Sequence, residues 1–180
     1  TIPALQLQAD VELGAAQAFV EQLRGMGQDV ELGAVVVRAL ALALRKHPVA
    51  NGAWRDGRFE RYARVNVALA VGSLAPVITD ADERTLPEIT AEARRVVERA
   101  RSGTLTSPEQ SGATFTVTDL AAEGVSVVVP IVVPGQAAGL GVGERTLTLV
   151  SDARILHGTE AARFLAAIRS GLEQPLALAL

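Results

Sequence analysis

Apolar positions along the chain change period several times, and each change marks an element. Leu5, Leu7 and Ala9 alternate with Gln6, Gln8 and Asp10, the period of a half-buried strand. Leu13, Ala16, Val20 and Leu23 then recur at helical spacing until Gly25 and Gly27 stop the run. A second helix, Glu31 to Arg45, carries Leu32, Val35, Val36, Leu40 and Leu44 and ends before Pro48. It is apolar nearly all round, which predicts a central position. Asp56-Gly57, between Trp54-Arg55 and Arg58-Phe59, supplies the two positive φ angles of a tight hairpin.

Val65 to Val71 and Leu74 to Ile78 are β runs separated only by Gly72-Ser73. Thr85 and Glu88 bracket Leu86-Pro87 at capping-box spacing, and Ile89, Ala93, Val96, Val97 and Ala100 extend an apolar helical face to Gly103. Thr114 to Thr118, β-branched Val125 to Val133, and Gly139 to Val142 predict a strand-rich second half, in which Thr146 and Thr148 alternate with Leu147 and Leu149. Ala161, Phe164, Leu165, Ile168 and Leu172 form a last amphipathic helix, followed by Pro175 and an apolar tail, Leu176 to Leu180. Helices near residues 12–24, 31–46, 87–101 and 159–172 thus alternate with β runs that do not fit regular βαβ units. The expectation is one α/β (α+β) two-layer domain over residues 1–180, a mixed and mainly antiparallel sheet with the helices packed on it.

Composition narrows the function. The apolar fraction is 49% and the mean hydropathy +0.27, leaving apolar surface beyond what one core absorbs, so oligomerisation is expected. A net charge of -3 with dispersed arginines and few aromatics excludes a nucleic-acid partner. The absence of Cys excludes disulfides, thiolate metal sites and a Cys nucleophile, and favours an intracellular, cytoplasmic location; two His are too few for an ordinary catalytic zinc site. The uncharged run Gly124 to Gly143 is broken by Pro130, Pro134, Gly135 and Gln136 and is rich in Val, so it reads as buried strands, with no membrane partner. The first residues lack the plan of a signal peptide.

Chemistry concentrates in Leu147 to Gly158, Leu-Thr-Leu-Val-Ser-Asp-Ala-Arg-Ile-Leu-His-Gly. The stretch resembles the signature of the dihydrolipoyl acyltransferases, core components of 2-oxo acid dehydrogenase complexes, in which a strand runs into Asp-His-Arg, two apolar residues and Asp-Gly. Asp152, Arg154 and Gly158 keep the frame, whereas the His position is Ala153 and the second Asp position is His157. Further segments resemble that catalytic domain in its order: Lys46-His47-Pro48-Val49-Ala50-Asn51 before Trp54, Pro76-Val77-Ile78 followed by Asp80-Ala81-Asp82, Gly112 to Thr118, and Pro134 to Gly143. Two connections are shorter than the family's, at Gly72-Ser73 and at Glu144-Arg145.

The resemblance implies a chloramphenicol acetyltransferase-like fold and a trimer whose site is shared between subunits. In the family, acyl transfer between dihydrolipoamide and coenzyme A uses the signature His as base and a Ser or Thr hydroxyl of the neighbouring subunit as oxyanion donor. Thr118 inherits the donor position, with Thr116 second, and is expected near the Ala153 region of the next chain. A strand Thr with its hydroxyl on a main-chain group is the plainer alternative. Asp152 and Arg154 read as an ion pair shaping the turn, His157 as a relocated base only if it reaches the thiol, and His47 as a capping residue at a helix end. Lys46, the single lysine, lies at a helix end and not on the exposed hairpin tip a lipoyl group needs, so no lipoyl domain and no covalently bound cofactor are expected; coenzyme A and dihydrolipoamide enter only as candidate substrates. Three readings stay open: a non-catalytic core or scaffold protein, a working acyltransferase using His157 or a base from another chain, and a small-molecule binding module. The tail Leu176 to Leu180 is the expected contact for any cage larger than a trimer.

Overall fold

The computed structural model describes residues 1–180. In chain order the elements are strand β1 (Ala4–Asp10), helices α1 (Gly14–Gly25) and α2 (Leu32–Lys46), strands β2 (Gly52–Arg55), β3 (Arg58–Arg61), β4 (Val67–Leu69) and β5 (Val77–Ile78), helix α3 (Leu86–Arg101), strands β6 (Phe115–Asp119), β7 (Ala138–Val142) and β8 (Thr146–Asp152), and helix α4 (Gly158–Glu173). The helices fall within two residues of the expected spans. The six-stranded sheet has the order β1-β8-β7-β6-β4-β5, with β7-β6 and β6-β4 parallel and the other pairs antiparallel; β2 and β3 form a separate hairpin. Asp56 and Gly57 take the positive φ angles that the hairpin turn requires.

The helices cover one face of the sheet. Phe115 and Val117 of β6, Leu140 and Val142 of β7, and Leu147 and Leu149 of β8 all point into that core, the period-two consequence of strand geometry. α2 is central, as its all-round apolar surface predicts: every residue from Ala34 to Ala41 is buried. Within that buried run Arg38 is the one charged residue. Its guanidinium donates to the carbonyls of Asp82 (2.7 Å), Arg84 (2.9 Å), Leu178 (3.4 Å) and Leu180 (2.9 Å), so one buried cation ties the loop before α3 to the end of the chain. Thr85 and Glu88 form the expected capping box at the start of α3.

One expectation needs correction. Val125 to Val133 is extended but belongs to no strand. Both edges of β7 are already paired, with β6 and β8, so the segment has no free edge and crosses the non-helical face instead. It fits there because β7 presents only glycines on that face. A Cβ at Gly139, Gly141 or Gly143 would come within 2.8, 2.2 and 2.2 Å of the carbonyl oxygens of Ile131, Val128 and Ser126. In the tail, Pro175 and Leu178 are buried, while Leu176 (75% exposed), Ala177, Ala179 and Leu180 (95% exposed) reach solvent.

Candidate functional site

β8 ends in a built turn. Asp152 is buried, and its main-chain N–H donates to Ala137 O (2.8 Å), while the N–H of Ala153 donates to Pro3 O (2.8 Å), so the turn is fastened on both sides. Ile155 N and Leu156 N both donate back to Asp152 O, closing one helix-like turn before the chain straightens at His157. The Asp152 carboxylate accepts the Arg154 main-chain N–H (3.0 Å) and both Nε and Nη2 of Arg154 (2.9 and 2.6 Å). Burial alone would push the Asp152 pKa up, but these charge-assisted bonds outweigh it and hold the group below the ordinary carboxylate value. The hydrogen bonds that Arg154 donates to Asp152 raise the pKa of Arg154 in turn. The Arg154 guanidinium also lies 5.3 Å from the Trp54 ring, a cation–π contact that sets the β2-β3 hairpin over the turn. Tyr62 beyond that hairpin donates to Gly135 O (2.6 Å) and accepts from Arg55 (2.8 Å).

Ala153 therefore sits in a rigid, partly buried position with no titratable group. His157 is four residues on, exposed, at the N-cap position of α4, and its side chain makes no capping bond. Its backbone is extended (φ -81°, ψ 166°). His47 is half-buried at the end of α2 and packs edge-on against Phe164, with ring centroids 5.9 Å apart, which leaves it a packing role.

Thr116 and Thr118 lie on the non-helical face of β6. The Thr116 hydroxyl is committed, donating to the buried Gln136 Oε1 at 2.9 Å. Thr118 is partly exposed and makes no side-chain hydrogen bond, so of the two it keeps a free donor, and the bond to a main-chain group considered as its plainer role is absent. Thr118 pairs across with Gly141, and Gly141 with Thr148. From Thr118 to Ala153 is thus two strand spacings across and five residues along, which at about 4.8 Å and 3.3 Å each gives roughly 19 Å. Within one chain the two positions do not meet. The β7-β8 connection is Gly143, Glu144 and Arg145, closed by the Gly143 N–H on Thr146 O, and Val71 and Leu74 bond reciprocally around Gly72 and Ser73.

Sequence reasoning missed Trp54 over Arg154 and Gln136 on Thr116, because neither pair has a spacing signal. The glycine alternation 139, 141, 143 was a readable sign of close backbone approach on that face.

A six-stranded mixed sheet with helices on one face belongs to the chloramphenicol acetyltransferase class of fold; a chloramphenicol acetyltransferase superposes with a TM-score of 0.64 over 94% of this chain and 86% of its own, at 13% identity. The model of the 2-oxoacid dehydrogenases acyltransferase (catalytic domain) family matches residues 1–180, and the chain belongs to that family. It is 31% identical, over 209 aligned positions, to the mitochondrial dihydrolipoyllysine-residue acetyltransferase component 3 of the pyruvate dehydrogenase complex of Arabidopsis thaliana, covering 100% of this chain and 39% of that protein. The chain thus spans about two fifths of the length of such relatives. Among solved structures it resembles Azotobacter vinelandii dihydrolipoamide acetyltransferase (TM-score 0.93, 26% identity, 100% of this chain and 85% of that one), whose catalytic mechanism was probed at a Ser, a His and an Asn four positions after the His. It also resembles the cubic core of a pyruvate dehydrogenase multienzyme complex (TM-score 0.91, 26% identity, 100% and 85%).

Proposed function

We propose that this chain is a non-catalytic core protein of the acyltransferase family, which assembles through the family's framework without transferring acyl groups to coenzyme A. The observation that carries this reading is Ala153. The His and Asn of the Azotobacter enzyme are four positions apart, as are Ala153 and His157, a spacing that supports reading Ala153 at the base position and His157 at the place of the Asn. A positioned general base contributes about 10² to 10⁴ in rate, and Ala153, held in the fastened turn, has no group that accepts a proton.

The scaffold half of the reading rests on exposed apolar surface. Along the segment over the β7 glycines, Val127 (43%), Val129 (55%) and Ile131 (78%) are exposed and alternate with buried Val128 and Pro130, a one-sided apolar strip suited to a neighbouring subunit. In a trimer that neighbour supplies what one chain lacks, bringing Thr118 of one copy to the Ala153 turn of the next. Leu176 and Leu180 then provide a second contact through which trimers join a cage, as in the cubic core that the chain resembles.

The competing reading is an acyltransferase in which His157 works as the base; its exposed, uncommitted imidazole is what favours it. The test is to assay coenzyme A-dependent acyl transfer from acyl-dihydrolipoamide in the native protein, in Ala153→His with and without His157→Asp, and in His157→Ala. The expected result is no native turnover above background and a partial gain in the double variant. Robust native turnover that His157→Ala abolishes overturns the proposal.

A further inference from the structure

A cleft of about 750 Å³ opens between the N-terminal half of α2, the middle of α3 and the ends of β4 and β6. It lies on the helical side of the sheet, opposite the face that carries Thr116 and Thr118, and its size is that of a small-ligand pocket. Val37, Leu69, Val97, Val117 and Leu120 give it apolar walls. The reciprocal Val71 and Leu74 bonds fold the β4-β5 connection into a tight turn at its rim.

Its charges are unbalanced. Arg94, at one end, is occupied by Asp29 and Glu31. Glu98, Arg101, Asp119 and Glu123 also line the cleft, and none of them enters any of the twelve ion pairs of the chain. Three unpaired carboxylates against one guanidinium leave an excess of two negative charges. Asp119 accepts only the Ala121 N–H, at 3.1 Å, through one oxygen. Water reaches this residue, yet it stands on a concave wall where protein atoms crowd it, and the resulting desolvation raises its pKa.

We propose that this cleft binds an amphipathic organic amine, with its apolar body against Val37, Val97 and Val117 and its ammonium group towards Asp119, Glu98 and Glu123. A polyphosphate such as coenzyme A meets the wrong sign of charge here. The site is separate from the Ala153 turn and stands whether or not the chain transfers acyl groups.

The experiment is an NMR titration of the isotopically labelled chain with phenethylamine, beside phenylacetate as its anionic counterpart and coenzyme A. Saturable shifts centred on the cleft are expected with the amine and not with the two anions, weakening as salt is raised. Asp119→Asn combined with Glu98→Gln removes two partly solvated charge contacts and should weaken binding roughly 3- to 25-fold. Val97→Trp fills the cleft without changing charge and should abolish the shifts, while melting curves confirm that each variant stays folded. Three outcomes overturn the proposal: no saturation by about 10 mM amine, binding that neither variant weakens, or equal or tighter binding of phenylacetate or coenzyme A in the cleft. No readout uses turnover, so failure here is distinct from failure of the scaffold reading.

Discussion

Adding one methyl group at Gly141 tests the link between the sheet, the crossing segment and the assembly surface. The built Cβ would lie 2.2 Å from Val128 O, 2.9 Å from its carbonyl carbon and 3.0 Å from Pro130 Cδ. Ordinary contact begins near 3.4 Å, so the crossing backbone must retreat by about 1 Å, and Val128 and Pro130, both buried, must lift with it. Overpacking of this kind costs about 1–3 kcal/mol, and the main-chain obstacle places Gly141→Ala at the upper end, about 3 kcal/mol. For a chain of this length that lowers the melting temperature by roughly 6–12 °C. The displaced segment carries Val127, Val129 and Ile131, so light scattering should also report a loss of oligomer at micromolar concentration. Gly33→Ala is the control: it lies in the first turn of α2 with nothing within 4 Å of its Cβ, and it should be neutral or stabilise by up to about 1 kcal/mol. A Gly141→Ala protein that melts within about 1 °C of the native chain and keeps its mass would refute the steric argument, and with it the role given to the glycine alternation.

Arg38→Met should destabilise the chain by about 2–4 kcal/mol, because four carbonyls lose a buried donor and the loop before α3 is freed from the C-terminal turn; denaturant unfolding measures it. Asp152 is held below its ordinary value of 3.8, so its ionised form contributes stability that is fully present above that pH and is lost as pH falls through the lower folded value. Acid unfolding of Asp152→Asn should therefore lack that part of the transition, and the two proteins should converge in stability at the lowest pH. Leu176→Glu should leave the proposed trimer intact and dissolve any larger particle in analytical ultracentrifugation; removing the whole tail is a poorer test, since Leu178 belongs to the core.

The helices were legible because each carries its own stop signals and a period of 3.6. The Thr85 to Glu88 box and Pro87 mark the start of α3 without any knowledge of its neighbours. Strand pairing is different in kind, since β6 lies between β4 and β7 through contacts far apart in sequence, and no local pattern encodes that order. Val125 to Val133 shows the cost of reading composition alone: β-branched residues report extended backbone, and whether that backbone becomes a strand depends on a free edge being available. Arg38 carried a faint signal, a charge inside an apolar run, but its four acceptors come from segments that only the fold brings together.

At the candidate site the same division holds, and it bears on function. The signature turn was readable because Asp152 and Arg154 are two residues apart, and their bonds are local. The choice between Thr116 and Thr118 was not, because it depends on Gln136, which takes one hydroxyl and leaves the other free. A free hydroxyl about 19 Å from the turn it would serve is of no use within one chain. Under the proposed trimer, Thr118 would become a donor only across a subunit boundary, where it would face the Ala153 turn of the next chain. The chain keeps a fastened turn, an uncommitted hydroxyl and an exposed apolar strip, and has Ala153 where the resemblance places the base. Under the proposed reading association outlasts turnover, which makes Ala153→His the more informative substitution: restoring the imidazole asks whether the rest of the site is still in place.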